Sequence, residues 1–431
     1  MSVNRRRFLT ATALTPPTLA LGTQLTAGAA ERTTEETAEA ARTPHWDTVP
    51  GADVMARLRW RPLSGRKVGV LSNPTGVLAG GDHIVDSMVA SGVRPVAAFG
   101  PEHGFRGSAQ AGGSEGDYVD PRTGVPVYDA YGVTADELAG MFTKAGVDTV
   151  VFDIADVGAR FYTYIWSMYT AMVAARRTGA SLVVLDRPNP LGGEAAGPML
   201  DPEFASGVGR KPIVQQHGMT VGELARFFDA EFLPEDGGSL GDALHVVRMH
   251  GWRRNTFFAG TGLHWVPPSP NMPTPDTAMV YPGTCLFEGT VFAEGRGTTR
   301  PFEIIGAPGL DWRWREELGK QHLRGVSFRE NYFVPTFGKF VGETCGGVQL
   351  TVTDPRSFDA IRTAVSMIVT AKRLHPDLFD WRPDHFIDKL SGSDRLRTMV
   401  DAGADADTIV DAWQAELRGF VRRRRPYLLY R

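Results

Sequence analysis

The chain has 431 residues, 22% of them charged and 42% hydrophobic, with 46 Lys and Arg against 49 Asp and Glu. That composition belongs to a globular protein and excludes a disordered chain, a collagen and a small disulfide scaffold. The formal net charge of −3 argues against a nucleic-acid partner, whose phosphates require a basic face.

Residues 1–30 read as an export signal. Arg5, Arg6 and Arg7 precede Phe8 and Leu9, a mildly apolar Ala/Leu/Thr stretch follows, and Ala27-Gly28-Ala29-Ala30 supplies the small side chains that a signal peptidase accepts. The arginine cluster resembles a twin-arginine signal, so the expected location is exported, periplasmic or extracellular. Pro16, Pro17 and several threonines interrupt the roughly 20 apolar residues that a membrane span needs, and no integral span is expected after cleavage. Cleavage after Ala29 removes three arginines and no acid, taking the formal charge from −3 to −6. Residues 31–45 are polar and acidic and read as a flexible leader.

Residues 46–205 carry an α/β pattern. Lys67–Leu71, Pro95–Phe99, Thr149–Ile154 and Ser181–Leu185 are apolar runs of strand length, and continuous runs such as VVFDI suit a parallel sheet covered on both faces. Asp82–Ala90, Thr134–Ala145 and Ile165–Arg177 have apolar residues at helical spacing, and Thr134 with Glu137 fits a capping box. A second lobe over 206–431 is expected to hold a capped helix at Thr220–Phe228, strands at His245–Met249 and Gly347–Thr353, and a helix at Ser357–Leu374. Between them, Trp265–Pro308 reads as a long Pro/Gly-rich loop that is rigid without regular structure. Cys285 and Cys345 are the only cysteines and are open to bridging or to burial as free thiols.

In an open α/β sheet, ligands bind beyond the carboxyl ends of the strands. The loops there read SNPTG (72–76), GPEHGFRG (100–107), DVGARFYTY (156–164) and DRPNPLGG (186–193). None contains G-x-G-x-x-G, and the chain lacks a phosphate-binding P-loop, a G-x-S-x-G elbow and an H-E-x-x-H pair. No metal-ligand spacing is present either, so neither metal nor cofactor is expected.

Carboxylates beside Tyr, Asn and Arg suit glycoside hydrolysis, in which one acid protonates the leaving oxygen and a second group completes the displacement. Glu102 lies in a glycine-flanked turn and reads either as a catalytic carboxyl or as an acid that caps a helix or pairs with Arg106. Asp156, Glu288 and Glu294 are alternative second carboxylates. His103 reads as a neighbour that tunes the acid or as a packed imidazole. Arg160, Tyr162 and Tyr164 alternate, which in an extended segment puts all three on one wall. Asp153 lies within an apolar strand and must find a partner; Asp186 with Arg187, and Glu294 with Arg296, read equally as internal ion pairs.

The motifs SNPTG, FGPEHGFRG, FDIADVGARFYTY, LDRPNPLGG, QHGMTVGEL, PPSPNMPTPDTAMVYPGTCLFEGT and EGRGTTRPFE together resemble the exo-β-N-acetylmuramidases, a bacterial family long known only as a domain of unknown function. The likeness runs from about Trp60 to the C-terminal YLLY. It implies a Rossmann-like domain paired with a smaller C-terminal α+β domain, an active-site cleft between them, and release of terminal N-acetylmuramic acid from the non-reducing end of peptidoglycan fragments. It also implies that the PEHG glutamate, Glu102, is the leading catalytic residue. Asn73, Tyr162, Tyr164, Asn189 and Asn271 then become candidate ligands for sugar hydroxyls and the acetamido group. Arg160, Arg187 or Arg296 would hold the lactyl carboxylate that separates muramic acid from glucosamine. The competing reading is a muropeptide-binding protein that uses the same cleft without chemistry and passes its ligand to a transporter or partner. The sequence leaves the oligomeric state open.

Overall fold

In the computed structural model the chain divides into two units, Met1–Pro44 and His45–Arg431, and the structure describes residues 47–110 and 112–431. The expected signal and leader lie outside the described residues. The second unit is built on a seven-stranded sheet of order β3-β4-β2-β1-β5-β6-β9. Its strands are β1 Val68–Ser72, β2 Ala97–Gly100, β3 Tyr118–Val119, β4 Pro126–Asp129, β5 Thr149–Asp153, β6 Ser181–Leu185 and β9 Leu244–Val247. All pairs are parallel except β3 with β4. With the edge strand β3 set aside, the chain lays down β2 and then β4 to one side of β1, and β5, β6 and β9 to the other, which is the Rossmann order.

The apolar runs form strands because both faces are covered. Along β5 and β6, Val150, Phe152, Leu182 and Val184 pack into one apolar cluster, whereas Val151, Val183 and Leu185 pack into the other. The helices Ala135–Ala145 and Tyr164–Thr178 lie against the first cluster and Ile84–Ala90 against the second. The capping boxes at Thr134/Glu137 and Thr220/Glu223 are both formed, each satisfying free amides at a helix start.

The sheet runs past the expected boundary at residue 205: its last strand, β9, pairs with β6 and comes from the stretch read as the second lobe. A two-stranded ribbon, β7 Ala196–Met199 with β8 Val214–Gln216, lies between them in the chain. The smaller domain carries the antiparallel sheet β10-β12-β11, made of β10 Ile304–Ala307, β11 Val326–Phe333 and β12 Cys345–Val352, and packs the helix Ala360–Leu374 against its neighbours. Within the stretch expected to be an irregular loop, Pro275–Thr284 forms a helix, with Thr274 as N-cap, Pro275 in its first turn and Pro282 inside it. Cys285 and Cys345 are buried free thiols.

The C-terminal residues return to the larger domain. The Tyr430 hydroxyl donates to Asp186 at 2.5 Å, and the amide of Leu429 donates to Glu223 at 2.8 Å. Asp186 is fully buried and also accepts from Thr220 Oγ1 and the amides of Arg187 and Gly222. Burial raises its carboxyl to about 7.

Candidate active site

The strand order reverses between β1 and β5, and the loops after these strands meet there. Asn73 Oδ1 accepts from the amide and hydroxyl of Thr75, and Thr75 Oγ1 in turn accepts from the amide of Ala155, which fastens the β1 loop to the β5 loop. The loop after β2 brings Glu102 to the same place. His103 and Gly104 are successive left-handed residues, with φ of 72° and 84°, and a Cβ on Gly104 would sit 2.2 Å from the Glu115 side chain. Glu115 itself is spent on holding this loop, accepting from the amides of Phe105, Arg106 and Ser108.

Among the described residues Glu102 has no cationic partner. Arg106, the expected alternative, pairs with Asp86 at 2.8 Å and Asp120 at 2.7 Å instead. Glu102 is half-buried; one oxygen accepts from the amide of Gly112 at 2.9 Å and the other from Thr163 Oγ1 at 3.4 Å. Tyr164 donates its hydroxyl to the Pro268 carbonyl at 2.7 Å and lies 3.3 Å from the Glu102 carbonyl. Tyr162 stacks edge-on against it at 5.4 Å. Burial raises both phenols, so they remain neutral hydrogen-bonding groups.

Asp156 completes this end of the cleft. Oδ2 accepts from the Gly158 amide at 2.8 Å and from His217 Nε2 at 3.0 Å, and Oδ1 is buried without a partner. Two further buried polar groups here lack a regular hydrogen bond: Asn73 Nδ2, near the Tyr164 hydroxyl, and the Tyr162 hydroxyl, which faces Ser269. Unpaired polar atoms inside a protein are costly, and a group of them marks where a polar ligand belongs. Asn271, in the same Pro-rich loop, is also buried.

Glu288, Glu294 and Arg296 form a separate cluster. Arg296 bonds Glu288 at 2.5 Å and approaches Glu294 at 3.3 Å, while Lys339 Nζ binds Glu294 at 2.9 Å and three backbone carbonyls. Burial holds Glu288 above its ordinary range against the pull of Arg296. A row of rings joins the two clusters: Tyr164, Tyr162, Tyr281 and Phe302, with the Arg296 guanidinium 5.0 Å above the last.

Several expected site residues lie elsewhere. The segment from Arg160 to Tyr164 turns into a helix instead of running extended, so the alternation fails at Arg160. That side chain is fully buried and donates to the carbonyls of Pro198, Ile213 and Leu390; burial with no carboxylate partner lowers it to about 9. Asn189 is spent on its own turn, accepting from the Leu191 amide and donating to the Met219 carbonyl. Arg187 pairs with Asp153, at 2.5 and 2.7 Å, and not with Asp186. His103 is buried with Nδ1 3.2 Å from the Ala109 carbonyl, as a packed imidazole. Thr163, His217, Tyr281 and Lys339 were not singled out from the sequence. His217 could have been, since it stands three residues before the Thr220 cap in QHGMT and a helix start fixes such a residue in place.

Among the described residues no group of three or more His, Cys, Asp and Glu is placed to hold a metal ion, and no helix is long and apolar enough to cross a membrane.

A Rossmann-ordered sheet that carries carboxylates and phenols at its switch point, in place of a glycine-rich phosphate loop, belongs to the α/β proteins that use this architecture for something other than a dinucleotide. The chain belongs to the exo-β-N-acetylmuramidase NamZ family: the family's N-terminal domain matches residues 68–276 and its C-terminal domain residues 279–430. The peptidoglycan β-N-acetylmuramidase NamZ of Bacillus subtilis (strain 168) is 45% identical over 383 residues, covering 88% of this chain and 91% of that one. Two crystal structures of DUF1343 family proteins from Bacteroides fragilis NCTC 9343 share the fold. One has a TM-score of 0.82 at 31% identity, covering 90% of this chain and 100% of the other; the second has a TM-score of 0.72 at 31% identity, covering 89% and 99%.

Proposed function

We propose that the protein is an exo-acting glycoside hydrolase that releases terminal N-acetylmuramic acid from the non-reducing end of peptidoglycan fragments. The observation that carries this is Glu102: a half-buried carboxyl with no cationic partner among the described residues, at the switch point of the sheet, in a chain whose relative is named for this activity. Glu102 serves as general acid for the leaving oxygen, while Tyr162, Tyr164 and Asn271 hold sugar polar groups. Of the three arginines considered for the lactyl carboxylate, Arg160 and Arg187 are buried, whereas Arg296, although paired with Glu288 and Glu294, keeps part of its side chain exposed and is the one proposed. The N-terminal Arg-Arg-Arg-Phe-Leu and the Ala-Gly-Ala motif support export.

The test is hydrolysis of a chromogenic β-N-acetylmuramide beside the matching glucosaminide, with and without chelator. Release from the muramide alone, unchanged by chelator, supports the proposal. Tight binding of a muropeptide without release from either substrate would replace it with a capture protein.

A further inference from the structure

A two-carboxylate mechanism needs a second free acid near Glu102, and of the carboxylates described above Asp156 is the one at that end of the cleft. Glu288 and Glu294 are tied to Arg296 and Lys339 at the far end of the ring row, Asp153 is locked by Arg187, and Glu115 is taken by backbone amides. Asp156 is an unusual acid. His217 Nδ1 accepts from the Met219 amide at 3.2 Å, so its proton sits on Nε2 and is donated to Asp156 Oδ2. That contact and the Gly158 amide fix the carboxylate from behind, and Oδ1 is left buried and unpaired.

Asp156 also lines a cavity of about 70 Å³, and among the described residues it is the only carboxylate there. Since about 10–15 Å³ admits one water, this space takes a group of a few heavy atoms. Its other walls are mostly apolar, with Val77, Pro188, Trp265 and Pro268 suited to a methyl group, and Thr75, Arg187 and His264 also border it. A carboxylate with one unpaired oxygen, bordering a small and mostly apolar cavity, fits a group that combines one N–H with a methyl, and the 2-acetamido group of an N-acetylated amino sugar is such a group.

We infer that Asp156 receives the acetamido N–H of the sugar, and that the acetamido oxygen of the substrate, not a protein carboxylate, is the nucleophile. This rests on the glycosidase reading above. In the first step the acetamido oxygen forms a bond to the anomeric carbon as the glycosidic C–O bond breaks. The released electron pair goes to the leaving oxygen, which takes the proton of Glu102. The resulting cyclic oxazolinium is cationic, and the Asp156 carboxylate at its N–H balances that charge. In the second step Glu102, now a carboxylate, removes a proton from water. The water oxygen bonds the anomeric carbon, and the ring C–O bond returns its pair to the acetamide. The sum is one glycosidic bond hydrolysed, with two inversions and therefore net retention.

The experiment compares 4-nitrophenyl β-N-acetylmuramide with its N-fluoroacetyl, N-difluoroacetyl and N-trifluoroacetyl analogues, and follows the first-formed anomer by NMR. Fluorine weakens the acetamido oxygen as a nucleophile. The expected result is a progressive fall in kcat/KM, by at least about 100-fold at trifluoroacetyl, with the β-anomer released first. On the parent substrate, Asp156→Asn is expected to lower kcat at least about 100-fold while KM stays within about threefold. Rates within about threefold across the series, or first release of the α-anomer, overturn the inference and leave the glycosidase intact. No release from the parent muramide overturns both.

Discussion

His217 and Asp156 form a buried hydrogen-bonded pair at 3.0 Å in which the imidazole, fixed by the Met219 amide, can only donate. The pair aligns the carboxylate. His217→Phe removes the donor and is expected to lower kcat by about 10- to 100-fold, whereas His217→Gln, whose amide can still donate, recovers most of that loss. Urea unfolding of both variants supplies the control. A purely structural His217 would show equal kcat losses that track the loss of stability.

Glu102→Gln keeps the acceptor for the Gly112 amide but cannot give up a proton. Turnover on the chromogenic muramide is expected to fall at least about 100-fold with an unchanged melting temperature. Near-normal turnover would remove Glu102 from the acid role.

Arg187 and Asp153 are a test of buried charge. The pair is two-pronged and enclosed, and Arg187→Ala would strand the Asp153 carboxylate in the core. A loss of about 3–5 kcal/mol is expected in chemical denaturation. The muramide preference should survive in whatever fraction folds, because the Arg187 guanidinium is spent on Asp153.

Arg296→Ala is expected to raise KM for the muramide by about 10-fold or more and to leave the weak rate on the glucosaminide unchanged. Equal effects on both substrates would show that Arg296 serves the Glu288–Glu294 cluster and not the lactyl carboxylate.

Two buried groups give opposite pH dependences. Burial raises Asp186 to about 7, so the folded state holds its proton more tightly than the unfolded chain; its contribution is full below about 4 and is lost as pH rises towards 7. Burial lowers His83 to about 4, so its contribution is full above about 6.5 and is lost as pH falls towards 4. The wild type should therefore show a shallow profile between these limits. Asp186→Asn leaves the His83 slope, with stability rising with pH, and His83→Gln leaves the Asp186 slope, with stability falling. Each slope is at most about 1.4 kcal/mol per pH unit, and urea unfolding at several pH values reads both.

The sheet was legible where strands are covered on both faces. Thr149–Asp153 and Ser181–Leu185 announce themselves as unbroken apolar runs, whereas Tyr118–Val119 and Val214–Gln216 are two or three residues long and carry no period. Glu102 stood out as a carboxyl in a glycine-flanked turn at a strand end, and of its two alternative readings the pairing with Arg106 is absent, because Arg106 is taken by Asp86 and Asp120. Arg160 was misleading for the opposite reason: a cation satisfied by three carbonyls from distant parts of the chain leaves no local trace of its burial. His217 was missed because its role depends on a residue 61 positions away.

The return of Tyr430 to Asp186 has a consequence for biogenesis. Residues 186 and 223 are translated some two hundred residues before the hydroxyl and amide that complete their hydrogen bonds, so a nascent larger domain emerges from the ribosome with unsealed polar interior. These buried carboxylates are fully satisfied only once residues 429 and 430 have been made.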